Sequence, residues 1–81
     1  MNLYRTWFAA RCVNNGKAIE YDLQIESENF IMAEKIEDAV HQCAAVGMYH
    51  EEIADFLHVE LGGVQTLHAW HGRVELTTVR G

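Results

Sequence analysis

The chain has 81 residues, 49% of them apolar, with no proline and two cysteines, and its twelve acids against six lysines and arginines leave a formal charge of −6. That is enough for one domain, residues 1–81, with one small core whose stability at this size is marginal and favours a partner or a second copy. Lone thiols at Cys12 and Cys43 exclude a disulfide framework, the acidic balance disfavours direct nucleic-acid binding, and no apolar run nears the roughly 20 residues that span a bilayer. Two unpaired thiols suit a reducing compartment. The stretch from Leu3 to Val13 is broken by Arg5 and Arg11 and lacks the regions of a signal peptide, so a cytoplasmic protein is expected.

Asn15-Gly16 sits between two alternating segments and predicts a two-residue type I′ turn. Pairing Asn14 with Lys17 then places Cys12 opposite Ile19, Ala10 opposite Tyr21, Phe8 opposite Leu23 and Thr6 opposite Ile25. The other face pairs Arg11 with Glu20, Ala9 with Asp22, Trp7 with Gln24 and Arg5 with Glu26. Next, Met32, Ile36, Val40 and Cys43 recur at helical spacing with Ala39 and Ala44 beside them; Ser27 or Asn29 can cap this helix and Gly47 can stop it. A second helix runs from about His50 to Val59, burying Ile53, Ala54 and Phe56 or Leu57, and ends at Gly62-Gly63. From Val64 to Val79 a second hairpin turns at His71-Gly72, with Leu67 opposite Leu76, Ala69 opposite Val74, Trp70 opposite Arg73, His68 opposite Glu75 and Thr66 opposite Thr77. The expected fold is α+β: two β-hairpins forming a four-stranded antiparallel sheet with two helices on one face, in the order β-β-α-α-β-β.

Charge is unevenly shared along this order. Glu34, Glu37, Asp38, Glu51, Glu52, Asp55 and Glu60 face only Lys35 in the central segment, while the other five acids are matched by five bases. A field of that kind attracts a basic partner. Trp7 and Trp70 are expected on the open face of the sheet with Ala9, Val13, Val64 and Val79, neighboured by Tyr4, Arg5, Arg11 and Arg73; the alternative to a binding role is that each lies flat on its strand, Trp70 stacking with Arg73 as a cation–π pair. So apolar a face calls for cover, by a two-fold mate or by the functional partner. The candidate partner-binding residues are therefore Glu34, Glu37, Asp38, Glu51, Glu52, Asp55, Trp7, Trp70 and Arg73.

The residue pattern supplies no catalytic, metal or cofactor site. His68 and His71 point to opposite faces of a strand, and His50 and His58 are more than two helical turns apart. His41 and Cys43 diverge by about 200° around a helix. The five histidines read as surface or rim residues. Ser27 has no nucleophile-elbow context, the carboxylates read as solvated helix faces, and Gly62-Gly63 is not followed by a phosphate-loop lysine. A non-enzymatic protein follows.

Two resemblances bear on function. Residues 47–64, through Glu52, Ile53, Ala54, Leu57, Val59 and Val64, resemble the first two-thirds of a helix-turn-helix of the sigma-factor and two-component-regulator type. That resemblance implies DNA binding in which residues after Val64 read the major groove, as in a small transcriptional regulator. In size, charge and architecture the whole chain resembles the small acidic inhibitors of phages and mobile elements, including anti-CRISPR proteins. This second likeness implies an inhibitor that blocks a nucleic-acid-binding protein complex by steric or charge mimicry. Glu51, Glu52, Asp55 and Glu60 put the wrong sign beside any recognition helix, so a basic protein partner is the favoured expectation over nucleic acid itself.

Overall fold

Period-two alternation of apolar and polar residues builds the sheet; β1, β2 and β3 bury residues of one face, and β4 buries only Thr78. The computed structural model describes Met1 to Gly81. It contains β1 (Asn2–Arg11), β2 (Ala18–Ser27), α1 (Ala33–Ala45), α2 (His50–Leu61), β3 (Val64–His71) and β4 (Val74–Arg80). The strands form one antiparallel sheet in the order β1-β2-β3-β4. The fold is α+β with the predicted element order. α1 packs over β1, α2 packs over β3 and β4, and the helices touch each other. Between sheet and helices lies a core with Tyr21, Leu23, Ile25, Cys43, Ile53, Leu57 and Leu67 at its centre. No helix is long and apolar enough to cross a membrane.

Both hairpins differ from expectation by two residues in register. In the first, Phe8 lies opposite Tyr21, Ala10 opposite Ile19, Trp7 opposite Asp22 and Arg5 opposite Gln24. The turn is a four-residue loop, closed by Cys12 N–H donating to the Lys17 carbonyl at 2.8 Å and Gly16 N–H to the Cys12 carbonyl at 2.9 Å. Only Gly16 takes a positive φ (71°); Asn15 does not, and its side chain instead accepts the Lys17 N–H at 2.9 Å. A type I′ turn needs positive φ at both central residues, so the longer loop relieves Asn15 of the costlier conformation. A two-residue slip keeps every side chain on its face, which is why the apolar pattern could not detect it. It also stacks Phe8 on Tyr21, with centroids 5.1 Å apart, and it removes the direct Arg11–Glu20 and Arg5–Glu26 oppositions.

In the second hairpin the two-residue loop is Gly72-Arg73, with Gly72 at φ 63° in its first position, the φ of a type II′ turn. A His71-Gly72 loop would have put a histidine where glycine belongs. Leu67 therefore faces Thr78, Ala69 faces Leu76, and Trp70 faces Glu75 rather than Arg73.

The helix ends also differ in detail. Met32, not Ser27 or Asn29, is the N-cap of α1; Ser27 is buried in β2 and its Oγ accepts the Asn29 N–H at 3.1 Å. α1 stops at Ala45, before Gly47, and α2 extends to Leu61, which packs into the core. The Gln65 amide, inside the core, donates to the carbonyls of Leu57 (3.0 Å) and Gly62 (2.8 Å) and so caps the end of α2. From Val64 onward the chain is strand. The recognition helix implied by the helix-turn-helix resemblance is absent, because the residues that would have formed it alternate in and out of a sheet.

Candidate functional site

Two surfaces result from this layering. On the helical side Glu34, Glu37 and Asp38 fall at i, i+3 and i+4 of α1, and Glu51, Glu52 and Asp55 occupy the first half of α2; all six are exposed. Two have work within the molecule. Glu52 accepts the Tyr49 N–H at 2.8 Å, capping α2, and Asp55 bonds Arg80 Nε at 2.7 Å, tying α2 to β4. Glu34, Glu37, Asp38 and Glu51 have no ion-pair partner. The positive end of the helix dipole favours Glu34, Glu51 and Glu52 by about 0.3–1 kcal/mol each. Glu37 and Asp38 lie beyond that first turn. The Glu34–Asp38 pair repels at a cost of about 0.2–0.5 kcal/mol, with Lys35, three residues before Asp38, the one lysine on this helix.

The opposite surface is the open face of the sheet. Trp7 (65% exposed) and Trp70 (56%) both lie on it, as expected. They do not form one apolar patch. Glu20, Asp22 and Glu26 project from β2 on this same face and separate β1 from β3. Val13 lies in the β1–β2 loop beside Gly47, and Tyr4 points inward, where its Oη accepts the Ile31 N–H at 2.9 Å. Arg73, in the β3–β4 turn, makes no cation–π pair with Trp70, which meets His68 edge-on with centroids 6.4 Å apart. His68 is itself held between Glu75 (Nε2 to Oε2, 2.6 Å) and Asp22 (Nδ1 to Oδ2, 3.7 Å) across three strands. Beside it an open groove of about 470 Å³ runs between Trp7, Arg5, Gln24 and Thr66.

A third feature escaped the sequence reading. His50 is buried, at 5% exposure, and its Nδ1 lies 3.2 Å from Nε2 of half-buried His71. The pair joins the start of α2 to the end of β3 and packs against Tyr21. Burial first, and then the neighbouring His71, lower the pKa of His50; the Leu67 backbone and Glu51 oppose this weakly, and Arg80 adds to it. Its Nε2 is buried without a hydrogen-bond partner. The signal was there in the spacing. His50 continues the buried stripe of Ile53, Ala54, Leu57 and Leu61, and His71 continues the inward series of Gln65, Leu67 and Ala69. Half-buried Cys12 lines the same small cavity as His50 and His71, and no three His, Cys, Asp or Glu side chains are grouped to hold a metal ion. Cys43 is fully buried and its thiol is pushed up to about 11 by burial, so it stays protonated.

Comparison with protein-family models, with curated proteins and with solved structures finds no match to this chain.

Proposed function

We propose that this domain is a non-enzymatic protein-binding module whose acidic helical layer docks on the basic, nucleic-acid-binding surface of a partner complex. It would inhibit that complex by occupying the surface, in the manner of an anti-CRISPR protein. One observation carries the reading. The entire net charge of −6 resides in residues 33–61, where seven acids face one lysine, and five of the six candidate acids, all exposed, are without ion-pair partners. Carboxylates held at helical spacing present an array that competes with phosphates for lysine and arginine.

The test is displacement. The protein is titrated into a host extract carrying labelled nucleic acid, and release of the label from its protein complexes is followed. Release is expected, and it should weaken as salt rises. Reversing Glu34, Glu37, Asp38 and Glu51 to lysine, each adding two charges, takes the chain from −6 to +2 and should abolish release. No release by the native protein, or equal release by both proteins, overturns the proposal. A gel shift with the isolated protein and DNA should show no complex.

A further inference from the structure

β1 is an edge strand of ten residues, paired on one side only. Because Cys12 N–H bonds to Lys17, the even-numbered residues of β1 direct their backbone groups to β2. Antiparallel alternation then turns the N–H and C=O of Leu3, Arg5, Trp7, Ala9 and Arg11 to the free edge. Proteins blunt such edges with a bulge, a proline, a very short strand or charged side chains. Of these β1 has only the charges of Arg5 and Arg11; its pairing with β2 is unbroken over ten positions. β4, the other edge, has seven residues and is tied down by the Arg80–Asp55 bond. Along the free edge of β1, α1 leaves a groove of about 300 Å³ lined by Leu3, Tyr4, Thr6, Ala33, Ile36 and Glu37, with Arg5 at its border to the open face.

We propose that the β1 edge accepts an extended segment of a partner protein as a fifth strand, with alternate side chains entering the groove beneath α1. This rests on the reading of the domain as a protein-binding module and names a second mode of contact for it. Backbone pairing supplies the docking, and the flanking side chains supply the choice of segment. On the open face the segment meets Arg5, bonded only to neutral Gln24, and Arg11, bonded only to the Gly16 carbonyl, so acidic side chains fit there. On the helical side the apolar lining and Glu37 suit aliphatic side chains and one base. A second copy of this chain fits less well. The inward side chains of its β1, Phe8 and Ala10 among them, already lie in their own core, so the groove would stay empty, and two acidic α1 helices would be brought together.

The probe is a nine-residue peptide with glutamate at alternate positions, valine between them and one central valine replaced by lysine. In a titration followed by amide NMR, Leu3, Arg5, Trp7, Ala9 and Arg11 should shift and their exchange should slow. Ala9→Pro removes an N–H from the free edge and none from the β1–β2 ladder, so it should weaken binding at least tenfold in a protein that keeps its fold by circular dichroism. The double variant Arg5→Glu/Arg11→Glu should instead prefer the peptide with lysine in place of glutamate, and it serves if Ala9→Pro does not fold. Shifts confined to β4 or to the helices, or unchanged binding by these variants, overturn the proposal. So does light scattering that shows the protein alone dimerising with the same five amides protected. None of these substitutions touches the four reversed acids, so failure here and failure of the acidic-face reading are separable.

Discussion

Gly63 is the point where the helical layer is joined to the sheet, and replacing it offers a calibrated test of the packing. A Cβ built on Gly63 would lie 2.6 Å from the Glu26 carbonyl oxygen and 3.2 Å from Ile25 Cγ2, on a backbone with φ 74°. Gly16 also has a positive φ (71°), but a Cβ there would meet nothing within 4 Å. Gly16→Ala therefore carries only the conformational cost, about 1–2 kcal/mol. Gly63→Ala carries that cost and must also move backbone. Glu26 pairs with Val64 in the β2–β3 ladder, and Ile25 is in the core, so relief comes from stretching that ladder at about 0.5–1.5 kcal/mol per bond or from shifting a packed side chain. The expected total is about 3 kcal/mol. An 81-residue domain holds roughly 4–12 kcal/mol, so Gly63→Ala removes a large fraction of the stability. Urea unfolding followed by far-ultraviolet circular dichroism measures both variants, and melting should fall by roughly 4–8 °C per kcal/mol. Equal destabilisation by the two substitutions, with unchanged m-values, would refute the close-approach reasoning, because the linker would then be free to move.

Two further predictions follow from buried polar groups. His50 has a lowered pKa in the folded state, so between the unfolded value near 6.5 and the folded one the unfolded chain binds the extra proton. Its contribution to stability is therefore complete above about pH 6.5 and is lost as pH falls from there through the folded pKa, with a slope of at most about 1.4 kcal/mol per pH unit. His50→Gln should flatten the stability profile between pH 7 and pH 5; an unchanged slope would show that His50 does not titrate against a desolvated site. Gln65→Met keeps the volume but leaves the Leu57 and Gly62 carbonyls without their donor, and should cost about 1–3 kcal/mol in urea unfolding, whereas a neutral result would mean that water replaces the amide.

The architecture was legible because it depends on periodicity, and periodicity survives small errors. Both hairpins slipped by two residues, yet Phe8, Ala10, Ile19, Tyr21, Leu23 and Ile25 still face the core, since parity and not register decides the face. What depends on register was not legible. The Arg11–Glu20 and Arg5–Glu26 oppositions, the Trp70–Arg73 contact and the choice of turn residues all hinged on which position of its loop each glycine occupies. Asn15-Gly16 is a strong turn signal, but a dipeptide does not distinguish a two-residue loop from a four-residue loop that uses the same glycine. The acids of the candidate surface were placed correctly as exposed helix residues. Their division into internal partners (Glu52, Asp55) and unpaired ones (Glu34, Glu37, Asp38, Glu51) required the positions of Tyr49 N–H and Arg80. The buried His50–His71 contact was missed because histidine was read as polar, although its spacing was that of a core residue.

The layering also determines how the two proposed contacts relate. Outside residues 33–61, Arg5, Arg11, Lys17, Arg73 and Arg80 match Glu20, Asp22, Glu26, Glu28 and Glu75 in number, so the far field of the molecule comes from the helices. A basic surface therefore draws in the helical side first. Helices packed on a sheet stand about 10 Å from it, comparable with the screening length of about 8 Å at physiological salt. Charge on α1 and α2 thus acts weakly on the open face, and Arg5 and Arg11 keep their local preference for acids. Glu37, the acid lining the groove beside β1, is where the two surfaces meet. A partner that engages both would present bases to α1 and α2 and an alternating strand to β1. Its dissociation should then be most salt-sensitive through the first contact, less so through the Arg5 and Arg11 pairs of the second, and proline-sensitive through the second alone.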